Sequence, residues 1–317
     1  MEQQQAMQLL ELIRKNVESC IYGKKEEVAW VLTALVAGGH VLIEDVPGTG
    51  KTQLVKALAR SIGGVFHRIQ CNPDLLPTDI TGVSIYHPKQ EQFVFRPGPI
   101  MANVLLADEI NRATTKTQSA LLEAMEERHV TVDGVTYPLP QPFLLFATQN
   151  PIEFEGTYSL PEAQLDRFLM KISIGYPDEA SERKLLLEPS AARSAESLAA
   201  VADIADVLAL QQLAATVHLE GSVADYLLAL IRGTRRHPAV LLGASPRAGV
   251  AMAACARAYA LLQRRLFVLP DDVKAVAPLV LGHRLHLRSE ARMRGVDAAT
   301  VLQEVMRQIQ VPVGLER

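Results

Sequence analysis

Over the first 176 residues, short apolar runs alternate with stretches of helical periodicity. The runs at 40–44 (HVLIE), 65–71, 103–107 (NVLLA), 143–147 (FLLFA) and 168–174 are mostly apolar and short, the pattern of strands covered on both faces. Strands alternating with helices predict an α/β fold built on a largely parallel sheet. Two segments interrupt the rhythm. In 81–99 two β-rich arms, 83–86 and 92–95, flank the polar tip His87-Pro88-Lys89-Gln90. Its apolar residues Val83, Ile85, Phe93 and Phe95 are expected to pair with one another, leaving Tyr86, His87 and Lys89 near an exposed tip. In 128–140 the arms flank Asp133-Gly134, a strong hairpin signal. Beyond Tyr176-Pro177-Asp178 the strand pattern stops, and Ala, Leu and Arg take over in helical periodicity. The expected division is therefore an α/β domain over 1–177 and a helical domain over 178–317. Helices are predicted at 179–187, 203–215, 222–236, 245–265, 270–281 and 298–310.

Composition narrows the class. The chain has 317 residues, 49% hydrophobic and 21% charged, which is ordinary for a globular protein and excludes a disordered or fibrous one. No run of about 18 apolar residues predicts a membrane span. Met1-Glu2-Gln3-Gln4-Gln5 lacks the basic start and apolar run of a secretory signal, so a cytoplasmic location is expected. Cys20, Cys71 and Cys255 are far apart and in no metal-binding spacing, so they read as buried small hydrophobes. The net charge is -3, and the basic residues show no interleaving with aromatics, which weighs against a nucleic-acid partner.

The most informative local pattern is Asp45-Val46-Pro47-Gly48-Thr49-Gly50-Lys51-Thr52, which follows a predicted strand and opens a helix predicted over 52–62. Small residues let backbone N–H groups curl around a phosphate at a helix N-terminus, where the dipole also favours anions. Pro47, Gly48, Thr49 and Gly50 would form that cradle, Lys51 would reach the β- and γ-phosphates of ATP, and Thr52 would offer its hydroxyl to Mg²⁺. Asp45 departs from the strict motif, which has glycine at that place. The apolar strand 103–107 runs into Asp108-Glu109, and two adjacent acids there call for a cation or a partner. Asp108 is placed to hold Mg²⁺ through its waters, and Glu109 to polarise the attacking water.

Together with the loop and the acid pair, three longer strings carry a specific resemblance: Glu109-Ile110-Asn111-Arg112-Ala113, Ala147-Thr148-Gln149-Asn150-Pro151, and 153–168 (EFEGTYSLPEAQLDRF). Over nearly its whole length the chain resembles a MoxR-type AAA+ ATPase. That resemblance implies a five-stranded sheet in the order 5-1-4-3-2, a helical lid, ATP and Mg²⁺ as ligands, and assembly into a homo-oligomeric ring, a hexamer. It matches Asn150 to the sensor-1 residue, Arg167 to the arginine finger that enters a neighbouring subunit's site, and Arg247 to sensor 2. It also matches Ile21-Tyr22-Gly23-Lys24 to the segment lining the adenine pocket, with Ile21 and Gly23 against the nucleotide.

The residues leave alternatives open. Arg167 ends a short helix that Ser159 could cap with Pro161 in its first turn, and it could instead pair with Asp166 or Glu162. Arg247 falls in the first turn of a helix capped by Ser245 and begun by Pro246. A cation there opposes the helix dipole, so a bound anion or a carboxylate would account for it. Asn111 and Arg112 divide equally between subunit contact and local structure. The segment His283-Arg284-Leu285-His286-Leu287-Arg288 reads as a solvated face of the lid. The activity implied is ATP hydrolysis coupled to remodelling, maturation or metal-cofactor loading of a client complex, whose members in this family often carry a von Willebrand factor A domain. A chelatase-type motor and a nucleotide-dependent scaffold with little turnover are the alternatives, and the intact Glu109 disfavours the scaffold.

Overall fold

The computed structural model describes residues 1–89, 91–151, 156–187 and 194–312; Gln90 of the first hairpin tip and Glu153, Phe154 and Glu155 of the motif string lie outside them. The chain begins with two helices, α1 (Gln3–Glu18) and α2 (Lys25–Ala37), followed by β1 (Val41–Glu44), α3 (Lys51–Ser61) and β2 (Phe66–Gln70). A short α4 (Pro77–Thr81) leads into the hairpin of β3 (Gly82–His87) and β4 (Gln92–Pro97). Then come β5 (Val104–Asp108), α5 (Thr115–Glu127), the second hairpin of β6 (His129–Val132) and β7 (Val135–Pro138), β8 (Leu144–Gln149), α6 (Glu162–Leu165) and β9 (Met170–Ile172). The remainder is α7 (Glu179–Leu187), α8 (Ile204–Thr216), α9 (Gly221–Arg236), β10 (Val240–Leu242), α10 (Pro246–Leu262), α11 (Pro270–Leu281), β11 (His286–Leu287), α12 (Ser289–Met293) and α13 (Ala298–Gln308).

Five strands form one parallel sheet in the order β2-β5-β8-β1-β9. Counted along the chain, that is the 5-1-4-3-2 order implied by the resemblance. The period-two alternation divides the strand residues between two cores. Val41, Ile43, Val104, Leu106, Leu144, Phe146, Met170 and Ile172 face α1, α2 and α3, and their core runs on without a break into α8–α11 and α13. Leu42, Leu105, Ala107, Leu145 and Ala147 face the other way, onto Leu121, Leu122 and Met125 of α5. The shift in composition at 177 thus coincides with the end of the sheet, while the apolar core continues across it. Among the described residues no helix is long and apolar enough to cross a membrane. The three cysteines are buried thiols outside any disulfide.

The helix α1 was not among the elements expected from the sequence. The lid is not purely helical, because β10 and β11 pair antiparallel. Their three and two residues are too short to show a period. In the first hairpin Ile85 lies opposite Val94, Tyr86 opposite Phe93, Ser84 opposite Phe95 and Val83 opposite Arg96. Val83 and Ile85 therefore lie on one face and Phe93 and Phe95 on the other, and do not pair with each other. The ring of Phe95 stacks instead on Tyr137 of β7, with centroids 4.0 Å apart, tying the two hairpins together. The fifth strand contracts to three residues. Pro161, not Ser159, occupies the N-cap of the single-turn α6, and no side chain caps it.

The segment 283–288 is not a solvated face of the lid, because His283 and Arg284 are buried. Burial, with Arg284 beside it, pushes the His283 imidazole down to about 3, so it is held neutral.

Candidate active site

The loop between β1 and α3, the ends of β5 and β8, and two side chains of β2 enclose a cavity of about 420 Å³. Pro47, Gly48, Thr49, Gly50, Lys51, Thr52, Asp108, Glu109 and Asn150 all line it, so nine of the residues singled out in the sequence meet at one place. Gly48 and Gly50 have φ of 83° and 87°, in the left-handed region. A Cβ at either would meet nothing within 4 Å, so glycine is needed for backbone conformation and not for room. Lys51 Nζ donates back across the loop to the carbonyls of Val46 at 2.7 Å and Asp45 at 3.3 Å, bringing a positive charge to the cradle.

The departure at Asp45 has a structural account. Its buried carboxylate accepts from the backbone N–H of Val46 (2.9 Å), Ile174 (3.0 Å) and Gly175 (2.7 Å). The side chain thereby ties the start of the loop to the chain leaving β9.

The acid pair is held by Thr148 and Arg112 of the motif strings, and by Arg68 and Gln70, which the sequence did not mark. Thr148 Oγ1 donates to Asp108 Oδ1 at 2.6 Å and accepts from the Glu109 N–H at 2.8 Å. Arg68 donates to Asp108 Oδ2 at 2.6 and 3.2 Å and to Gln70 Oε1 at 2.8 Å. Gln70 Nε2 in turn donates to Glu109 Oε2 at 3.0 Å, and Arg112 Nε lies 3.4 Å from the same oxygen. Asp108, Arg68, Gln70 and Glu109 form a connected polar chain across β2 and β5. Glu109 has φ 57° and ψ 51°, a conformation that is uncommon for a residue with a side chain and that persists only where surroundings enforce it. Thr148 and Gln70 supply that enforcement. Cys71, the residue after β2, is not an activated thiol, since burial and the neighbouring Asp108 and Glu109 charges push it up to about 12. Arg68 and Gln70 are polar positions two apart in an apolar run, a signal that a closer period-two reading could have used.

Comparison with known proteins identifies the frame. The family described as "ATPase family associated with various cellular activities (AAA)" matches residues 40–170, and an "AAA lid domain" matches 232–305. The protein YeaC of Bacillus subtilis is 50% identical over 94% of this chain and 93% of its own length. Chaperone MoxR1 of Mycobacterium tuberculosis is 44% identical over 94% of this chain and 81% of its own, and Protein MoxR of Methylorubrum extorquens is 32% identical over 88% of each. The chain belongs to the MoxR family of AAA+ ATPases. A solved structure from Cytophaga hutchinsonii superposes with a TM-score of 0.91 at 37% identity, over 98% of this chain and 97% of that one.

Within this MoxR-family chain, four of the expected site residues stand outside the loop cavity. Arg167 Nε lies 2.7 Å from Glu126 Oε2, and Arg247 Nη2 lies 3.0 Å from Glu126 Oε1. The same-chain partner of Arg167 is thus Glu126 of α5, and neither Asp166 nor Glu162. Ser245 caps α10 through the Ala248 N–H at 3.1 Å, placing Arg247 in its first turn as expected. Both arginines line a separate cleft of about 280 Å³ with Arg128 and Arg284. Ile21 and Gly23 also do not line the loop cavity. Their segment is seated on the chain after β9, with the buried Lys24 donating to the carbonyls of Ile174 and Tyr176 at 2.5 and 2.8 Å. The Tyr22 ring lies 4.5 Å from Lys184 Nζ of α7.

Proposed function

We propose that this chain hydrolyses ATP in a Mg²⁺-dependent reaction, within a ring of like subunits, and uses the turnover to remodel a client protein complex. The observation that carries this reading is the single cavity in which the loop, Lys51, Thr52, Asp108, Glu109 and Asn150 converge. The donor set fits the ligands, with backbone N–H groups and an ammonium for phosphate, and a hydroxyl and a carboxylate for a hard cation. Thr52 and Asp108 would hold Mg²⁺, which when bound supplies charge neutralisation at the phosphates. Lys51 stabilises phosphate charge, and Asn150 orients the attacking water. Glu109 takes up that water's proton.

Ile21 and Gly23 contact the adenine end. Arg167 and Arg247 lie together outside the chain's own cavity, which supports their acting on the nucleotide of an adjoining subunit, in a hexamer.

Thr148 offers a local check of this arrangement. Thr148→Val keeps the shape and deletes the hydroxyl, so the Glu109 N–H loses its acceptor, a loss worth roughly 1–3 kcal/mol. Nucleotide affinity, read with a fluorescent ATP analogue, is expected to stay within about threefold while turnover falls about tenfold or more. Unchanged turnover would detach Thr148 from the chemistry.

Chaperone-like activity is supported by the relatives and by the first hairpin, where Phe93 is 72% exposed, Tyr86 49% and Ile85 46%. An apolar surface presented on a hairpin without proposed catalytic residues suits contact with a client or adaptor, such as a protein with a von Willebrand factor A domain. Maturation or metal loading of the client's complex is one such use. Replacing residues 87–90 by a Gly-Ser turn of equal length should leave basal ATPase within about threefold and lower client-stimulated turnover about tenfold or more. Sedimentation decides between two roles for the tip: loss of the ring would make it a subunit contact, and an intact ring with a normal client response would remove it from both. The client itself is sought by pull-down with Glu109→Gln, which should hold ATP and its partner. Recovery of no partner in the ATP-bound form, against an assembled ring, would count against remodelling.

A further inference from the structure

Arg284 is the most completely engaged side chain of the lid. It is 3% exposed. Its Nε donates to Asp166 Oδ1 at 2.8 Å, Nη2 to the carbonyls of Asp166 (2.9 Å) and Phe168, and Nη1 to the carbonyls of Leu169 (3.1 Å) and Val280. All five guanidinium N–H donors are thus accounted for, four of them on Asp166, Phe168 and Leu169, three of the four residues that connect α6 to β9. Burial, helped by the nearby Arg247 charge, holds its pKa below the usual arginine range, with Asp166 opposing that shift.

Arg167 lies in the middle of that connection. The carbonyls on either side of it, those of Asp166 and Phe168, hang on one rigid guanidinium supplied by the lid. The Asp166 carboxylate reaches further, accepting from Ser245 Oγ at 3.2 and 3.4 Å. Ser245 is the N-cap of α10, and Arg247 is two residues on. The two arginines then meet again on Glu126. A lid movement relative to the sheet would therefore strip a buried arginine of its carboxylate partner and of several charge-assisted hydrogen bonds, which is strongly unfavourable.

We propose that Arg284 and Asp166 are positioning residues that lock Arg167 of the sheet domain to Arg247 of the lid, so that both arginines are presented as one unit to a phosphate group of an adjoining subunit. The proposal rests on the reading of Arg167 as acting in trans. A purely structural Arg284 would impair every property of its own subunit. A positioning Arg284 impairs what the subunit donates and leaves what it receives.

Mixed rings separate these. Lys51→Ala subunits lack a working site and keep their arginines, while Arg167→Ala subunits keep the site and lack the finger. Their mixture is the reference. The donor test combines Arg284→Lys/Lys51→Ala with Arg167→Ala. The recipient test combines Arg284→Lys/Arg167→Ala with Lys51→Ala. Lysine keeps the charge but offers three donors in place of the planar five. The donor mixture is expected to turn over about tenfold more slowly than the reference, and the recipient mixture within about twofold of it.

Asp166→Asn, which keeps size and carbonyl, should show the same asymmetry more weakly, and it carries the test if Arg284→Lys does not assemble. Equal losses in both mixtures would make the pair merely structural. An unimpaired donor mixture beside a working reference would overturn the proposal alone. A reference mixture with no activity in verified mixed rings would overturn trans action by Arg167, and the proposal with it.

Discussion

Glu109→Gln is expected to bind MgATP with near-normal affinity and to hydrolyse it about 10²–10⁴-fold more slowly, the usual contribution of a general base. The substitution keeps the side-chain shape, and the amide oxygen can still accept from Gln70 Nε2, which donates to Glu109 at 3.0 Å. It also leaves intact the backbone bond from residue 109 to Thr148 Oγ1 at 2.8 Å, so the left-handed turn at that residue survives. What changes is proton affinity. Lys51→Ala is the contrast: it removes the ammonium that bridges the loop carbonyls and should lose nucleotide binding itself. Equilibrium binding of a fluorescent ATP analogue and phosphate release check the pair together. Wild-type turnover in Glu109→Gln would remove Glu109 from the role of base.

Arg167→Ala should fold, bind ATP and turn it over about 10³–10⁵-fold more slowly, the range spanned by arginine fingers in phosphoryl transfer. The chain's own cavity does not include Arg167, so binding there has no reason to change. Its side chain is 30% exposed and paired with Glu126, which keeps Arg247 as a second partner in the variant. The fold therefore loses little. Rings mixed from Arg167→Ala and Lys51→Ala should regain activity, because some interfaces then unite an intact site with an intact finger. A variant with wild-type turnover, or verified mixed rings with none, would count against action between subunits.

The parts of this molecule that could be read before its fold was known are those encoded by neighbouring residues. Short, mostly apolar runs marked all five strands of the sheet, because a strand covered on both faces draws apolar residues at most of its positions. The loop at 45–52 was readable because strand, small residues, lysine and helix are contiguous, and Ser245-Pro246 marked the start of α10 for the same reason. Asp133-Gly134 marked the second hairpin. Local chemistry was enough in each case.

Tertiary structure decided the rest. Arg284, in a segment that reads as solvated, is buried because its charge is met by Asp166, 118 positions away, and by the equally distant carbonyls of Asp166, Phe168 and Leu169. A charged residue in a polar-looking run defaults to the surface, and only a distant partner of opposite charge makes its burial tolerable. Thr148 is one threonine in an apolar strand until β8 is laid beside β5 and its hydroxyl meets Asp108, 40 positions earlier. Arg167 and Arg247 could each have faced water. Their meeting on Glu126 follows from where the sheet domain and the lid are joined, which no periodicity records. The sequence by itself thus determined the five strands, the phosphate loop and the acids at the end of β5, since apolar patterning and contiguous motifs are local properties. The tertiary structure determined how the acids and arginines are held, since a buried charge is stabilised only by partners that folding brings from far along the chain.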